Sequence, residues 1–221
     1  MARIPKQKTA KPRVAMVGDG ETEKIYFSDM KDTDRPGDID FFPELPMKTG
    51  SYENVINKAL SIVGYYSAVF ALIDMDTVIS DGKEQAYRTA KNRAEKAGIV
   101  VLEMNPCFEI WPLLHFARTS RSFINCGQVA DELKRADRIP DYEKTQRFLV
   151  RARLFATYRD RIVAHAIPAA RQLETNRPDG NKRYPRAEVF RFFEWYFAAN
   201  RLQRLQSGDP CNLLPPKQGN L

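Results

Sequence analysis

Ser67-Ala68-Val69-Phe70-Ala71-Leu72-Ile73-Asp74-Met75-Asp76 runs from an apolar stretch straight into two carboxylates. A short unbroken apolar run bounded by polar residues fits a strand buried on both faces, as in parallel sheets covered by helices. Acids just beyond such a strand stand at its C-terminal end, where open α/β sheets bind their ligands. Two comparable stretches flank it. Upstream lies Arg13-Val14-Ala15-Met16-Val17-Gly18-Asp19-Gly20-Glu21-Thr22-Glu23, and downstream Ile99-Val100-Val101-Leu102-Glu103-Met104-Asn105-Pro106-Cys107-Phe108-Glu109. Carboxylates that converge without His or Cys beside them suit hard, oxygen-bound cations such as Mg²⁺ or Mn²⁺.

The segments between these strands read as helices. Apolar and capping patterns predict helices over 22–31, over 51–66 with Ser51 as N-cap, and over 83–96 closed by Gly98. Residues 39–47 suit a short edge strand restricted by Pro43 and Pro46. Strands and helices alternating at this spacing predict an α/β fold with an open, mostly parallel sheet flanked by helices. From Pro106 onward the pattern turns helical. Asn105 is expected to cap a helix with Pro106 at its first position, and interior Pro112 is expected to bend the stretch 109–116. Longer helices are expected over 143–174, broken before Pro168, and over 186–206. The aromatic residues of the latter, from Phe190 to Phe197, read as core. The expected organisation is a basic disordered arm (1–12), an α/β core (13–120), a helical C-terminal part packed on it (121–206) and a tail (207–221).

The chain has 221 residues and a formal net charge of +7. A basic excess makes a polyanionic partner, nucleic acid above all, the natural expectation. No apolar run is long enough to span a bilayer, and no signal-peptide core follows the basic N-terminus, so a cytoplasmic protein is expected. Cys107, Cys126 and Cys211 form no CxxC pair, which argues against a zinc ribbon or a disulfide framework. His115 lies on an apolar face and reads as a satisfied core residue. A P-loop is excluded because no Gly-Lys-Ser/Thr follows Gly18-x-Gly20, and the spacing of a Rossmann fingerprint is also absent.

Each acidic station has its own chemistry. Asp74 and Asp76, two apart beyond a strand end, can share a cation or orient its waters. Asp19 and Glu23 can face one crevice across a strand-to-helix turn, with Gly20 giving room for a tight backbone. Helix-dipole placement accounts equally well for Glu21 and Glu23, but less well for Asp19. Glu109, set between Phe108 and Ile110-Trp111, needs a cation or a basic side chain as partner. Lys24, Lys48, Arg118, Arg121 and Lys144 are the candidates for contacting a nucleic-acid backbone. The rival reading is a plain α/β protein with solvated acids.

Three blocks carry a family resemblance: residues 17–27, Ile73-Asp74-Met75-Asp76, and above all Asn105-Pro106-Cys107-Phe108-Glu109-Ile110-Trp111-Pro112-Leu113-Leu114-His115-Phe116. Together they resemble the RloB-like family, and Tyr142-x-Lys144 matches a family position downstream. The resemblance implies a Toprim-like fold with a helical C-terminal extension. It also implies Mg²⁺- or Mn²⁺-dependent chemistry on phosphodiesters, a nuclease role in anti-phage defence, and a possible defence-system protein partner. It places metal-binding and catalytic roles on Asp19, Glu23, Asp74, Asp76 and Glu109. There are two departures. Asp19 stands where the pattern usually has Glu, and Pro112 where Leu is more frequent. A non-catalytic nucleotide- or partner-binding module is the alternative they leave open.

Overall fold

A computed structural model describes residues 10–206. The tail and all but the last three residues of the expected arm lie outside the described residues. Strand β1 (Arg13–Val17) leads through helix α1 (Glu21–Asp34) to β2 (Asp40–Glu44). Helix α2 (Tyr52–Ile62) and a 3₁₀ turn (Val63–Tyr65) precede β3 (Ala68–Asp74). Then come α3 (Asp76–Ser80), α4 (Glu84–Lys96) and β4 (Ile99–Asn105). The remainder is α5 (Ile110–Leu114), α6 (Cys126–Leu133), α7 (Gln146–Ala152), α8 (Leu154–Arg161), a π-helical turn (Ile162–Ala166), α9 (Ile167–Thr175), β5 (Arg186–Ala187), α10 (Val189–Tyr196) and α11 (Arg201–Gln206).

The sheet has the order β2-β1-β3-β4-β5. Strands β1 to β4 are parallel, while β5 runs antiparallel to β4 and pairs Ala187 with Met104. The fold is thus the expected α/β class, consistent with a Toprim-like open sheet. From β1 the chain steps outward to β2, then crosses back to β3 and continues to β4. The connections therefore diverge between β1 and β3, which makes the C-terminal ends of those strands a topological switch point.

Strand alternation divides the core into two faces. Val14, Met16, Phe70, Leu72 and Leu102 face one cluster, together with Tyr26, Phe27 and Met30 of α1. Ala15, Val17, Val69, Ala71 and Ile73 face the other, against Val55, Ile56 and Ala59 of α2. The α10 aromatics belong to the first cluster, packed as core. Phe193 stacks on Trp111 with centroids 5.0 Å apart, and Phe192 meets Phe70 edge-on at 5.1 Å. None of the described helices is long and apolar enough to cross a membrane.

Several local expectations are corrected. Asn105 does not cap a helix. It ends β4, and its amide donates to the carbonyls of Lys182 (3.0 Å) and Tyr184 (2.6 Å), so it secures the segment before β5. The Asn105–Pro106 bond is cis, and α5 starts only at Ile110. Pro112 falls in the first turn of α5, where a backbone N–H has no partner within the helix, so the ring displaces no hydrogen bond. The helix expected over 143–174 begins at Gln146 and breaks at Arg153, which has a left-handed φ of 43°. The break is held by tertiary contacts: Asp29 accepts from Arg153 Nε (2.9 Å) and from the Ala156 amide (3.0 Å). The expected break before Pro168 is met by the π-helical turn, and Pro168 occupies the first turn of α9. The helix expected over 186–206 divides into β5, α10 and α11.

Candidate functional site

Asp74 is the last residue of β3, and its Oδ1 accepts the Phe108 amide at 2.9 Å. The Pro106 carbonyl in turn accepts the amides of Met75 (2.9 Å) and Asp76 (3.0 Å), lacing the turn after β4 to the turn after β3. Asp76 opens α3, and its Oδ1 accepts the Thr77 amide at 2.7 Å. Asp19 lies beyond β1, where its Oδ1 accepts the amides of Gly50 (2.8 Å) and Ser51 (3.0 Å). That contact fastens the loop ahead of α2 to the switch point. Ser51 caps α2 as expected, accepting the Glu53 amide.

Glu23 is buried in the first turn of α1. The glycine that makes most room for it is Gly18, while a Cβ at Gly20 would come within 3.3 Å of Glu23 Oε2. A Cβ at Gly18 would lie 2.6 Å from Glu23 Cβ, whereas Gly20 has an ordinary extended φ of −153°. Glu109 is fully buried, at 0% exposure. Its Oε1 accepts from Tyr142 Oη at 3.2 Å and pairs with Lys144 Nζ at 2.8 Å. Its Oε2 has no hydrogen-bond partner among the described residues.

The electrostatics tie these groups into one cluster. Burial, then Glu109, pushes the Glu23 carboxyl up to about 7. Burial, then Glu23, Glu109 and Asp19, holds Asp74 well above the usual carboxylate range. Asp19 and Asp76 are both raised, chiefly by burial, against the pull of the amides that hold them. Burial disfavours the Lys144 charge, yet Glu109, Asp74 and Glu23 outweigh it and raise its pKa. Crowded carboxylates that must leave water repel one another, and such a cluster favours a proton or a cation. The five acids are oxygen donors of the kind hard cations take, but the described residues whose ligand atoms gather within 4.8 Å of one another are Asp74, Cys107 and Cys126.

The structure therefore brings Asp19, Glu23, Asp74, Asp76, Glu109 and Lys144 together at the switch point. The other basic candidates lie elsewhere or are engaged. Arg121 pairs with Glu132 at 2.7 Å, which anchors α6. Arg118 lines a cavity with Gln172 and Tyr184. Exposed Lys48 lies on the loop leading to Gly50. Lys24 lines an open groove of about 1020 Å³ with Lys31, Arg35 and Arg153, and that groove contains none of the five acids. His115 is buried, with Nδ1 3.1 Å from the Pro112 carbonyl, and burial lowers its pKa to about 4, so it stays neutral.

Two features of the site lie beyond the sequence pattern. Tyr142 matches a family position, and its aromatic hydroxyl two residues before Lys144 is the available signal for the Glu109 contact. The cysteines are the larger correction. Cys107 and Cys126 form a disulfide with Cα atoms 5.8 Å apart. They stand beside Asp74, so the carboxylates do have sulfur next to them. A spacing of 19 residues carries no local signal, because the loop between β4 and α6 makes the pairing.

Fold and site together define a doubly wound α/β protein with a partly buried acidic centre at its switch point. Residues 14–194 match the model of the RloB-like protein family, and the chain belongs to that family. Neither a curated protein nor a solved structure matches it.

Proposed function

We propose that this protein is a divalent-metal-dependent nuclease that hydrolyses phosphodiester bonds of nucleic acid in anti-phage defence. The observation that carries this reading is the crowding of five carboxylates at the switch point, Glu23 and Glu109 buried and Asp19, Asp74 and Asp76 partly buried, with Glu109 Oε2 left without a partner among the described residues. Asp74, Asp76 and Glu109 would hold one Mg²⁺ or Mn²⁺, with Asp19 and Glu23 available to a second. The cation would supply charge neutralisation at the phosphodiester.

The protein's own groups set the geometry. The Phe108 amide fixes one oxygen of Asp74, and the Gly50 and Ser51 amides fix one oxygen of Asp19. Tyr142 and Lys144 occupy Glu109 Oε1, which leaves Oε2 as its free donor. Glu23 holds a proton for part of the time near neutrality. The net charge of +7 supports a polyanionic substrate.

Cleavage of DNA and RNA in the presence of Mn²⁺, with Asp74→Ala and Asp76→Ala for comparison, tests the reading. We expect wild-type cleavage that drops by at least about 100-fold in either variant. Absence of cleavage of every substrate tried would count against it. A second reading, a non-catalytic module that binds a nucleotide or protein partner in the same crevice, is favoured by the anchoring use of Asp19. Metal-dependent ligand binding without turnover would support that reading instead.

A further inference from the structure

The disulfide next to the acidic centre is not absorbed by the nuclease reading. Cys107 is fully buried just beyond β4, while Cys126, the first residue of α6, is partly exposed. Both sulfurs and a carboxylate oxygen of Asp74 lie within 4.8 Å of one another. Cys126 Sγ also stands 3.4 Å from Asp76 Oδ2. As half of a disulfide this sulfur has no hydrogen to donate, so the close approach is not a hydrogen bond.

We propose that reduction of the Cys107–Cys126 disulfide creates a Zn²⁺ site built from the two thiolates, Asp74 and Asp76. Zn²⁺ binds thiolate at about 2.3 Å and carboxylate oxygen at about 2.0–2.2 Å, so in a tetrahedron sulfur and oxygen ligands sit roughly 3.6 Å apart and two sulfurs roughly 3.8 Å apart. The 3.4 Å from Cys126 Sγ to Asp76 Oδ2 is close to this spacing, and a carboxylate oxygen of Asp74 lies within 4.8 Å of both sulfurs. Thiolates also change which metal the site prefers: carboxylates alone suit Mg²⁺ and Mn²⁺, while a mixed thiolate set suits Zn²⁺.

The chemistry balances with a dithiol as reductant. The dithiol gives two electrons and two protons and becomes a disulfide, the Cys107–Cys126 bond breaks, and two thiols form. Zn²⁺ then displaces both thiol protons to solvent. Cys126 is the sulfur that a reductant can reach. Because Asp74 and Asp76 are shared, Zn²⁺ in this site and Mg²⁺ or Mn²⁺ in the carboxylate site exclude one another, a consequence that rests on the nuclease reading.

Titration with Co²⁺, a spectroscopic probe for zinc sites, tests the proposal without any substrate. Reduced wild-type protein is expected to bind one equivalent with thiolate-to-cobalt charge-transfer absorption, which Zn²⁺ then abolishes. Oxidised protein and Cys126→Ser are expected to lack the band. Asp74→Asn is expected to keep it with Co²⁺ affinity weakened by about tenfold or more. Cys211→Ser, which removes the remaining cysteine, is expected to leave it unchanged. Reduced protein with its thiols verified by titration and no such band would overturn the proposal, as would a band that survives in folded Cys126→Ser. Because this readout involves no cleavage, a failure here leaves the nuclease reading standing, and a failed cleavage assay leaves the zinc site standing.

Discussion

Glu23 meets opposing demands: its place in α1 favours an acid, and its burial beside Glu109 disfavours the charge. With the carboxyl raised from 4.5 to about 7, the folded chain keeps a proton that the unfolded chain has already released across that window. Stability contributed by this group therefore falls as pH rises from about 4.5 to about 7, by on the order of 3 kcal/mol. Thermal melts in chelator should show Glu23→Gln matching wild type near pH 4.5 and exceeding it at pH 8. Parallel pH profiles for the two proteins would refute the assignment. Asp19, Glu23, Asp74 and Asp76 were legible in the sequence because each closely follows a strand end, where topology alone places it in the crevice. Cys126 and Tyr142 were not, because what brings them there is a loop path and a packing contact rather than a period.

At the scale of elements, the β1–α1 turn sets the site. Gly18 lets α1 start close enough to the sheet to place Glu23 against the other acids. Gly18→Ala forces its methyl into Glu23 Cβ, a 2.6 Å approach between carbons fixed to backbone on both sides. We expect a loss of about 2–3 kcal/mol in urea unfolding, typical of overpacking. If Gly18→Ala unfolds at the wild-type midpoint, the turn is looser than described. Strands β1, β3 and β4 were readable from their apolar runs, β2 as a short edge strand, and α2 from its Ser51 cap. The break at Arg153 was not, since its left-handed backbone is held by a contact from afar, Asp29. Strand β5 also escaped: two residues at the start of a helical pattern pair because β4 offers an edge.

For the molecule as a whole, the aromatic cluster joins the C-terminal helices to the sheet. Phe193 lies against Trp111, Tyr26, Phe27 and Phe155. Phe193→Ala should cost about 3–5 kcal/mol, a large share of the total for a domain of this kind. Because Trp111 follows Glu109 by two residues, we also expect Mn²⁺ to raise the melting temperature of this variant less than that of wild type. An unchanged Mn²⁺ response would show that the acidic centre is independent of the aromatic core. The dependence of the sheet on β5 and α10 has a temporal side. A ribosome that has made the chain through Tyr184 has already made all five acids and Lys144. It has not yet made the strand that borders β4 or the rings that back Trp111. During synthesis the acidic centre is therefore complete in composition before β5 and α10 are there to support it.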